Sequence, residues 1–271
     1  MSASAAVGAT GRRHARGSGR RLAHRIDVAV HLVRTELATR HRGSVLGWVW
    51  ALGPPLLQLV ATYFLFTRVI PLDVPDYPVF LLVGILAWNW FARSLGEGVT
   101  SLEQRRELVL RPGFATEVLP LASVLVALVD YLIALPVLFV ALAFTTGLDP
   151  EAAFLPVLLA IQLLYCAGFA LVVAPLQVFL RDVRQVVTLF VSVGFWLTPI
   201  FYRRAQVPDS LTWLYDVNPM AHLIGAQRQI LMGGELPSLR VIAVVGLAGI
   251  VVVAAGAAVF ASCRHAVPEH L

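Results

Sequence analysis

Long apolar stretches separated by short polar connections run through most of this 271-residue chain. A helix needs about 20 predominantly apolar residues to cross the hydrocarbon core of a bilayer, and six stretches approach or exceed that length. They cover residues 44–70, 78–98, 119–146, 152–180, 185–202 and 239–262. The pattern therefore predicts an all-α membrane protein with six transmembrane helices, in a membrane domain over residues 44–262.

Composition narrows the class of protein further. Hydrophobic residues make up 58% of the chain and charged residues only 14%, against roughly 25% charged in soluble domains. Cys166 and Cys263 have no metal-ligand spacing and suggest no disulfide framework, so no metal site is expected. The chain contains no lysine, which excludes a GxxxxGK[ST] loop because that motif needs its lysine on the nucleotide phosphates.

Arginines are concentrated on one side of the predicted membrane domain. Nine of the 21 precede Gly43, and with a cytosolic N-terminus sixteen, including Arg93, fall on the cytosolic side and five outside. This asymmetry favours cytosolic termini under the positive-inside rule, with a cytosolic tail at 263–271. The basic head leads into a span too long for a signal-peptide core, so no cleaved signal is expected.

The segment before the first span has two parts. Residues 1–22 are rich in Ala, Gly, Ser and Arg and are predicted to be a disordered basic tail. Residues 23–43 predict an amphipathic helix in the cytosolic interface, with an apolar face of Ile26, Ala29, Val30, Val33 and Leu37. Two functions remain open for this helix: a simple membrane anchor, or an anchor that also receives a cytosolic partner.

Two connections between spans have distinctive patterns. Residues 100–119 are charged and amphipathic, which predicts a short cytosolic helix under the membrane. Residues 203–238 contain an apolar segment too short to cross a bilayer, opened by Asn218-Pro219 and closed by Gly233-Gly234. This second segment is predicted to be a re-entrant or interfacial helix outside, between spans five and six.

Several short motifs together resemble one family. They are RGSVLG at 42–47 with Trp50 and Pro54, EVLP at 117–120, FLRDV at 179–183, FWLTPIFY at 195–202, and NPM at 218–220 followed by Arg228. Their order over residues 30–262 resembles the permeases of type-two ABC exporters. Within that family, the motifs are most similar to the branch that exports O-antigen, teichoic acid and related polysaccharides.

The resemblance implies half of a transporter in the bacterial plasma membrane. Two copies of the chain would form the pore. Two copies of a separate nucleotide-binding subunit would bind ATP and Mg²⁺, so this chain would bind no cofactor and would not itself be an enzyme. The substrate would be a polysaccharide on a polyprenyl diphosphate, of the O-antigen, teichoic acid or wall galactan type, and no nucleic acid partner is implied.

The resemblance also implies roles for two sets of residues. Residues 100–118 would form the coupling helix seated on the ATPase, with candidate contacts from Glu103, Arg105, Arg106, Glu107, Arg111 and Glu117. The external segments would line the exit, with gate candidates Tyr202, Asn218, Pro219 and Arg228.

Charged residues at and in the membrane are further candidates. Guanidinium groups bind phosphate oxygens bidentately, so Arg34, Arg40 and Arg42 suit capture of the lipid diphosphate, although positive charge also serves simply to set topology. An ionised carboxylate near the bilayer centre costs about 2.5–3.5 kcal/mol. Asp130 should therefore face protein or water, either at the pore or dimer seam or as a hydrogen-bonded structural group.

Aromatic and amide side chains inside the spans complete the candidates. Four aromatic residues predicted near the midplane have two interpretations, since they could stack on sugar rings in a homodimeric pore or pack between helices and against lipid: Trp88, Trp90, Phe195 and Trp196. Three amides are expected to form interhelical hydrogen bonds: Asn89, Gln162 and Gln177.

Other function classes remain open at this point. The same superfamily exports drugs and small lipids, and only the quoted motifs favour a glycan. A membrane-bound transferase is disfavoured because no acid–base or nucleophilic cluster recurs on one side of the membrane. A secondary transporter is disfavoured because the spans carry few ionisable residues and no internal repeat is evident.

Overall fold

The computed structural model describes residues 25–39, 47–69 and 74–271, and every regular element in that part of the chain is helical. The predicted disordered tail at 1–22 and residues 40–46 lie outside the described residues. The α-helices are α1 (25–39), α2 (Gly47–Phe64), α3 (Tyr77–Gln104), α4 (Arg106–Val109), α5 (Val118–Phe144), α6 (Leu155–Phe179), α7 (Val183–Leu197), α8 (Thr212–Val217), α9 (Pro219–Met232), α10 (Leu239–Cys263) and α11 (Val267–His270). A π-helical turn at Leu65–Val69 extends α2, and 3-10 turns lie at Pro150–Phe154, Arg204–Gln206 and Asp209–Leu211.

In the described part of the chain, four helices are long and apolar enough to cross a membrane. They are α3, α5, α6 with its preceding turn, and α10, and they match the second, third, fourth and sixth predicted spans. The helices at the first and fifth predicted spans are shorter, since α2 has 18 residues and α7 has 15. The all-helical class is confirmed, and helix length and composition support four of the six spans.

The fifth predicted span ends early for a local reason. α7 stops at Leu197 instead of continuing to Tyr202. Thr198 precedes Pro199 and is extended, with φ −84° and ψ 141°, because the proline ring disfavours the helical conformation in the residue before it. The chain after α7 therefore continues as a non-helical segment, and its residues Thr198, Ile200 and Phe201 are buried.

The predicted cytosolic helix over 100–118 is divided in the structure. Its first residues belong to α3, which continues to Gln104, and its last residue, Val118, begins α5. Between them lies the single helical turn α4. Gly113 has a positive φ of 79°, and the preceding Pro112 lacks a backbone N–H, so the helix cannot propagate through this pair. The structure therefore has one short helical turn, and not a continuous helix, where the coupling helix was predicted.

α3 is the centre of the bundle. All of its side chains from Val79 to Trp88 are buried, and it contacts α2, α5, α6, α7 and α9. A helix that is apolar on all sides belongs in the interior of a membrane bundle. α3 therefore connects the residues at the two ends of the molecule that are described below.

α10 packs on α6 through glycines. A Cβ atom on Gly256 would overlap the carbonyl oxygen of Gly168, and a Cβ on Gly168 would lie 2.8 Å from the carbonyl oxygen of Val252. Small residues allow such close backbone approach, which is a common way for membrane helices to associate. The two helices form a tight seam along the side of the bundle.

The expected interhelical hydrogen bonds of the amide side chains are confirmed. Asn89 Nδ2 donates to Gln58 Oε1 at 3.1 Å, which joins α3 to α2. Gln162 Nε2 donates to the carbonyl oxygen of Ala87 at 2.8 Å, which joins α6 to α3. The third, Gln177, joins α6 to the end of α3 through Glu103.

Candidate functional site

Candidate residues cluster at the two ends of the bundle. At one end, here the α1 end, α1 lies against the connection between α3 and α5. At the other, here the α9 end, α9 lies against the start of α3 and the end of α7. α3 runs from Tyr77 at the α9 end to Gln104 at the α1 end.

Two ion pairs and an apolar contact hold α1 to the bundle. Arg25 Nη2 lies 3.1 Å from Glu117 Oε1, and Arg105 pairs with Glu36. Leu32 is 8% exposed. It belongs to an apolar cluster that also contains Leu102, Val109, Val118, Leu119 and Phe260. α1 is therefore a fixed part of this end of the molecule.

The apolar side of α1 is broader than the sequence predicted. Ala29 and Val33 of the predicted face pack on the bundle, together with Val28 and Leu32, which that face omitted. Ile26 and Val30 of the predicted face are 54% and 41% exposed. Helical spacing alone cannot tell which apolar side chains the chain itself will cover. Arg34, one turn beyond Val30, is exposed on that outer face, whereas the other head-group candidates, Arg40 and Arg42, lie outside the described residues.

The six coupling candidates differ in their contacts. Arg105 and Glu117 pair with α1. Glu103 Oε1 accepts a hydrogen bond from Gln177 Nε2 at 3.1 Å. The remaining three lie exposed on α4 and just after it: Arg106, Glu107 and Arg111.

Asp130 forms an ion pair inside the bundle. Its Oδ2 lies 3.0 Å from Arg93 Nη2, and its side chain is only 8% exposed. Arg93 also lies 3.3 Å from Glu97 Oε1. Asp130 faces protein, as the cost of a lone carboxylate in hydrocarbon requires. Its partner, Arg93 of α3, was counted in the sequence only as one of the cytosolic-side arginines.

Trp88 and Trp90 are both buried in the single chain. Trp88 contacts α7, because a Cβ on Gly194 would lie 2.8 Å from its ring and its centroid is 6.5 Å from that of Phe195. Trp90 contacts α5 instead, with its centroid 5.3 Å from that of Tyr131. Successive residues lie 100° apart on a helix, so these two rings point to different neighbours.

Trp196 lies on an apolar outer face of α7, and its side chain is 56% exposed in the single chain. Phe195, its partly buried neighbour, turns inward and contacts Phe201 with centroids 5.6 Å apart. The exposed face of α7 also includes Val186, Leu189, Phe190, Val193 and Leu197. The four aromatic candidates thus divide into two buried, one intermediate and one exposed side chain.

An apolar cavity lies beside these rings, between α3, α7 and α8. Its volume is about 250 Å³. Aromatic side chains supply much of its wall: Trp88, Phe91, Phe169, Phe190 and Trp213. Trp213 is itself 59% exposed. Aromatic rings therefore surround an apolar space near the α9 end.

At the α9 end, Arg228 joins α9 to α3 and to the segment after α7 by hydrogen bonds. Its Nη1 donates to the carbonyl oxygen of Pro199 at 2.6 Å, and its Nη2 donates to those of Ile200 at 2.6 Å and Phe80 at 2.9 Å. The guanidinium also lies 3.4 Å from the ring centroid of Phe80. Loss of hydration on burial lowers the pKa of Arg228 to about 9, so the group stays charged at neutral pH.

Three of the four gate candidates converge on the end of α7. Asn218 Oδ1 accepts from the N–H of Met220 at 3.0 Å and caps α9, while its Nδ2 donates to Thr198 Oγ1 at 2.9 Å. Tyr202 Oη donates to the carbonyl oxygen of Leu197 at 3.0 Å. Arg228 binds the next two carbonyls after Thr198, as above. The fourth candidate, Pro219, is the first residue of α9, where its missing N–H costs nothing.

Several contributing residues were not among the sequence candidates. Gly84 makes room for the α9 link, because a Cβ there would lie 2.7 Å from Arg228 Nη2. Gln227 Nε2 donates to Gln162 Oε1 at 2.9 Å and ties α9 to α6. Arg93 could have been found, since an arginine this deep in an apolar span normally pairs with a carboxylate. No local pattern marks Gly84, whose importance depends on a side chain 144 positions away.

Comparison with known proteins identifies the chain's relatives. The family model described as ABC-2 type transporter matches residues 29–232. The O-antigen export system permease protein RfbA of Klebsiella pneumoniae is 28% identical over 92% of this chain and 97% of its own length. The protein of the same name from Myxococcus xanthus is 29% identical over 89% and 94%. The polysialic acid transport protein KpsM of Escherichia coli is 25% identical over 74% and 80%.

Proposed function

Because this chain belongs to the ABC-2 type transporter family, we propose that it is the membrane-spanning subunit of an exporter that carries a lipid-linked polysaccharide out of the cytosol. One observation carries the proposal: the match to O-antigen export permeases extends over nearly the full length of both chains. The name of the third relative also specifies a polysaccharide. The substrate proposed is a polysaccharide on a polyprenyl diphosphate, of the O-antigen, teichoic acid or wall galactan type.

The proposed transporter contains two copies of this chain and two ATP-hydrolysing subunits, which bind the ATP and Mg²⁺. α2 and α7 supply the two further spans of a six-span subunit in the plasma membrane. With the α1 end in the cytosol, the exposed arginines of that end meet the cytosolic leaflet, which agrees with the positive-inside rule. Both termini are then cytosolic, and α8 and α9 lie outside.

Coupling to ATP hydrolysis is assigned to the α1 end. The ATPase docks on the exposed α4 residues Arg106 and Glu107. Movement there passes to α1 through the Arg105–Glu36 and Arg25–Glu117 pairs, and to α6 through Glu103 and Gln177. α3 is continuous from this end to the α9 end, so a shift at its cytosolic end also displaces the contacts around Arg228.

The polysaccharide path is assigned to the dimer seam along α7. The exposed apolar face of α7 must be covered by a partner or by lipid, and a second copy of the chain would cover part of it. Trp196 and the aromatic cavity beside Trp88 then line the path, where flat ring faces stack weakly on successive sugar rings. Trp90 packs on Tyr131 of α5 and holds α3 in place behind this path. Arg34, with Arg40 and Arg42, receives the diphosphate at the cytosolic entrance.

Reconstitution tests the proposed function directly. The full-length chain, affinity-purified from its own membrane, is expected to bring an ATP-hydrolysing subunit with it in equal amounts. In liposomes, the ATPase rate of that complex should rise when a polyprenyl-diphosphate-linked polysaccharide is added. The charge reversal Arg106→Glu should remove this stimulation, whereas Arg181→Glu, an exposed arginine at the same end, should retain it.

Two results would replace the proposal. If the ATPase rate responds to hydrophobic drugs or small lipids and not to the polysaccharide, the chain belongs to an exporter of those compounds. If the chain purifies from mild detergent with full yield and no ATPase, a transferase or secondary transporter becomes the better account.

A further inference from the structure

A cavity of about 690 Å³ opens at the α1 end between the start of α1, the loop before α5 and the chain after α10. Of the described residues that line it, three are arginines and one is a glutamate: Arg25, Arg111, Arg264 and Glu117. His265 adds an imidazole whose Nε2 lies 3.1 Å from Arg264 Nε. The glutamate is already paired with Arg25, so the cavity keeps an excess of positive charge.

A second cavity continues from the first toward the membrane. It measures about 300 Å³ and shares Arg25, Glu117 and Arg264 with the larger one. The rest of its wall is apolar and comes from membrane-spanning helices: Leu121 of α5, Leu171 of α6, and Ala257, Phe260 and Ala261 of α10. The two cavities together form a cationic chamber joined to an apolar groove on the outside of the bundle.

We propose that this pair of cavities binds an anionic phospholipid of the adjacent leaflet. The phosphate lies among Arg25, Arg111 and Arg264, and one acyl chain lies in the groove along α10. Basic cavities between membrane helices commonly bind phospholipid head groups, and guanidinium groups suit phosphate oxygens. The inference concerns a lipid of the membrane itself and does not depend on the exported substrate.

The apolar groove decides between a lipid and a protein ligand. An acidic segment of an ATPase could enter the charged chamber, but it could not cover Ala257 and Ala261, which face outward from a helix of the membrane. A soluble phosphate would likewise leave the groove uncovered. A phospholipid fits both cavities, because its charged head group is covalently joined to an apolar acyl chain.

Arg264 and Ala261 offer the cleanest variants. Arg264 is exposed and forms no ion pair with a carboxylate among the described residues, so Arg264→Ala removes charge without detaching α1. Ala261→Trp fills the groove from an exposed position. Matched controls are Arg181→Ala at the same end and Ala258→Trp on the same helix; both positions are exposed and line neither cavity.

Native mass spectrometry of the delipidated full-length chain, titrated with dioleoylphosphatidylglycerol or dioleoylphosphatidylcholine, measures the binding. Arg264→Ala should weaken phosphatidylglycerol binding about fivefold, the effect of one arginine near a membrane surface, and leave phosphatidylcholine unchanged. Arg264→Lys should keep most of the binding. Ala261→Trp should weaken phosphatidylglycerol binding to a similar degree, and both control variants should match the wild type.

Three outcomes would overturn the proposal. The first is equal phosphatidylglycerol affinity in Arg264→Ala and Arg181→Ala, and the second is an unaffected Ala261→Trp variant. The third is full displacement of phosphatidylglycerol by glycerol 1-phosphate or by the ATPase subunit, which would assign the chamber to a soluble anion or to the protein partner. Size-exclusion profiles and Tm values matching the wild type exclude misfolding as the cause of any loss.

Discussion

The glycine seam between α6 and α10 gives a prediction that can be worked out from geometry. In Gly256→Ala the new methyl group meets the carbonyl oxygen of Gly168. That oxygen is backbone and cannot rotate away. The two helices must separate by roughly 1 Å to restore an ordinary carbon–oxygen contact of about 3.3–3.6 Å.

Gly246→Ala on the same helix is the matched control. A Cβ at Gly246 would lie 3.7 Å from the nearest atom, Ile161 Cδ1, which is an ordinary contact. Both substitutions gain about 1 kcal/mol of helix propensity, so this contribution cancels between them. Overpacking costs about 1–3 kcal/mol, and the free energy of unfolding of Gly256→Ala should be lower than that of Gly246→Ala by that amount.

Thermal unfolding in detergent, followed by tryptophan fluorescence, measures the difference. At about 2–4 °C per kcal/mol for a chain of this size, the Tm of Gly256→Ala should fall several degrees below that of Gly246→Ala. Equal Tm values for the two variants would refute the close approach of α6 and α10.

Three further predictions concern the two ends of the bundle. Arg228→Lys should lower the free energy of unfolding by about 2–4 kcal/mol, because an ammonium cannot replace several charged hydrogen bonds of about 1.5–3 kcal/mol each. The Tm in detergent measures this loss, and a wild-type Tm would contradict the prediction. Glu36→Arg and Arg105→Glu should each loosen the attachment of α1, and the double reversal should restore it, with a coupling energy of at most about 1 kcal/mol for partly exposed charges. The rate of proteolysis of α1 measures the attachment, and no recovery in the double variant would contradict the ion pair. In a background without the native cysteines, Asp149→Cys should react with an impermeant thiol reagent applied to intact cells and Glu107→Cys should not; the reverse result would invert the proposed orientation.

Much of the fold could be predicted because apolar length is a strong and local signal. Four long helices follow the predicted stretches closely. α9 runs from Pro219 to Met232, between the predicted Asn218-Pro219 opening and Gly233-Gly234 close. The boundaries that failed were set by backbone chemistry that a hydropathy pattern ignores. Pro199 ends α7, and Pro112-Gly113 interrupts the predicted coupling helix.

The candidate sites were harder to predict because their partners are distant in sequence. Arg228 was selected from a motif, but its acceptors are backbone carbonyls in other segments. Arg105 was assigned to an ATPase contact, and the structure pairs it with Glu36, 69 positions away. Similarly, helical spacing on α1 could not reveal that Leu32 faces the bundle while Ile26 stays exposed.

The most direct test of the central claim is the location of the polysaccharide in cells depleted of this chain. Lipid-linked polysaccharide can be extracted and its sidedness assayed with a glycosidase applied to spheroplasts. The account predicts that the glycan remains attached to its polyprenyl diphosphate and accumulates on the protected, cytosolic face, with export restored by the wild-type chain. A glycan that reaches the outer face at the normal rate after depletion would contradict the assignment of this chain as a polysaccharide exporter.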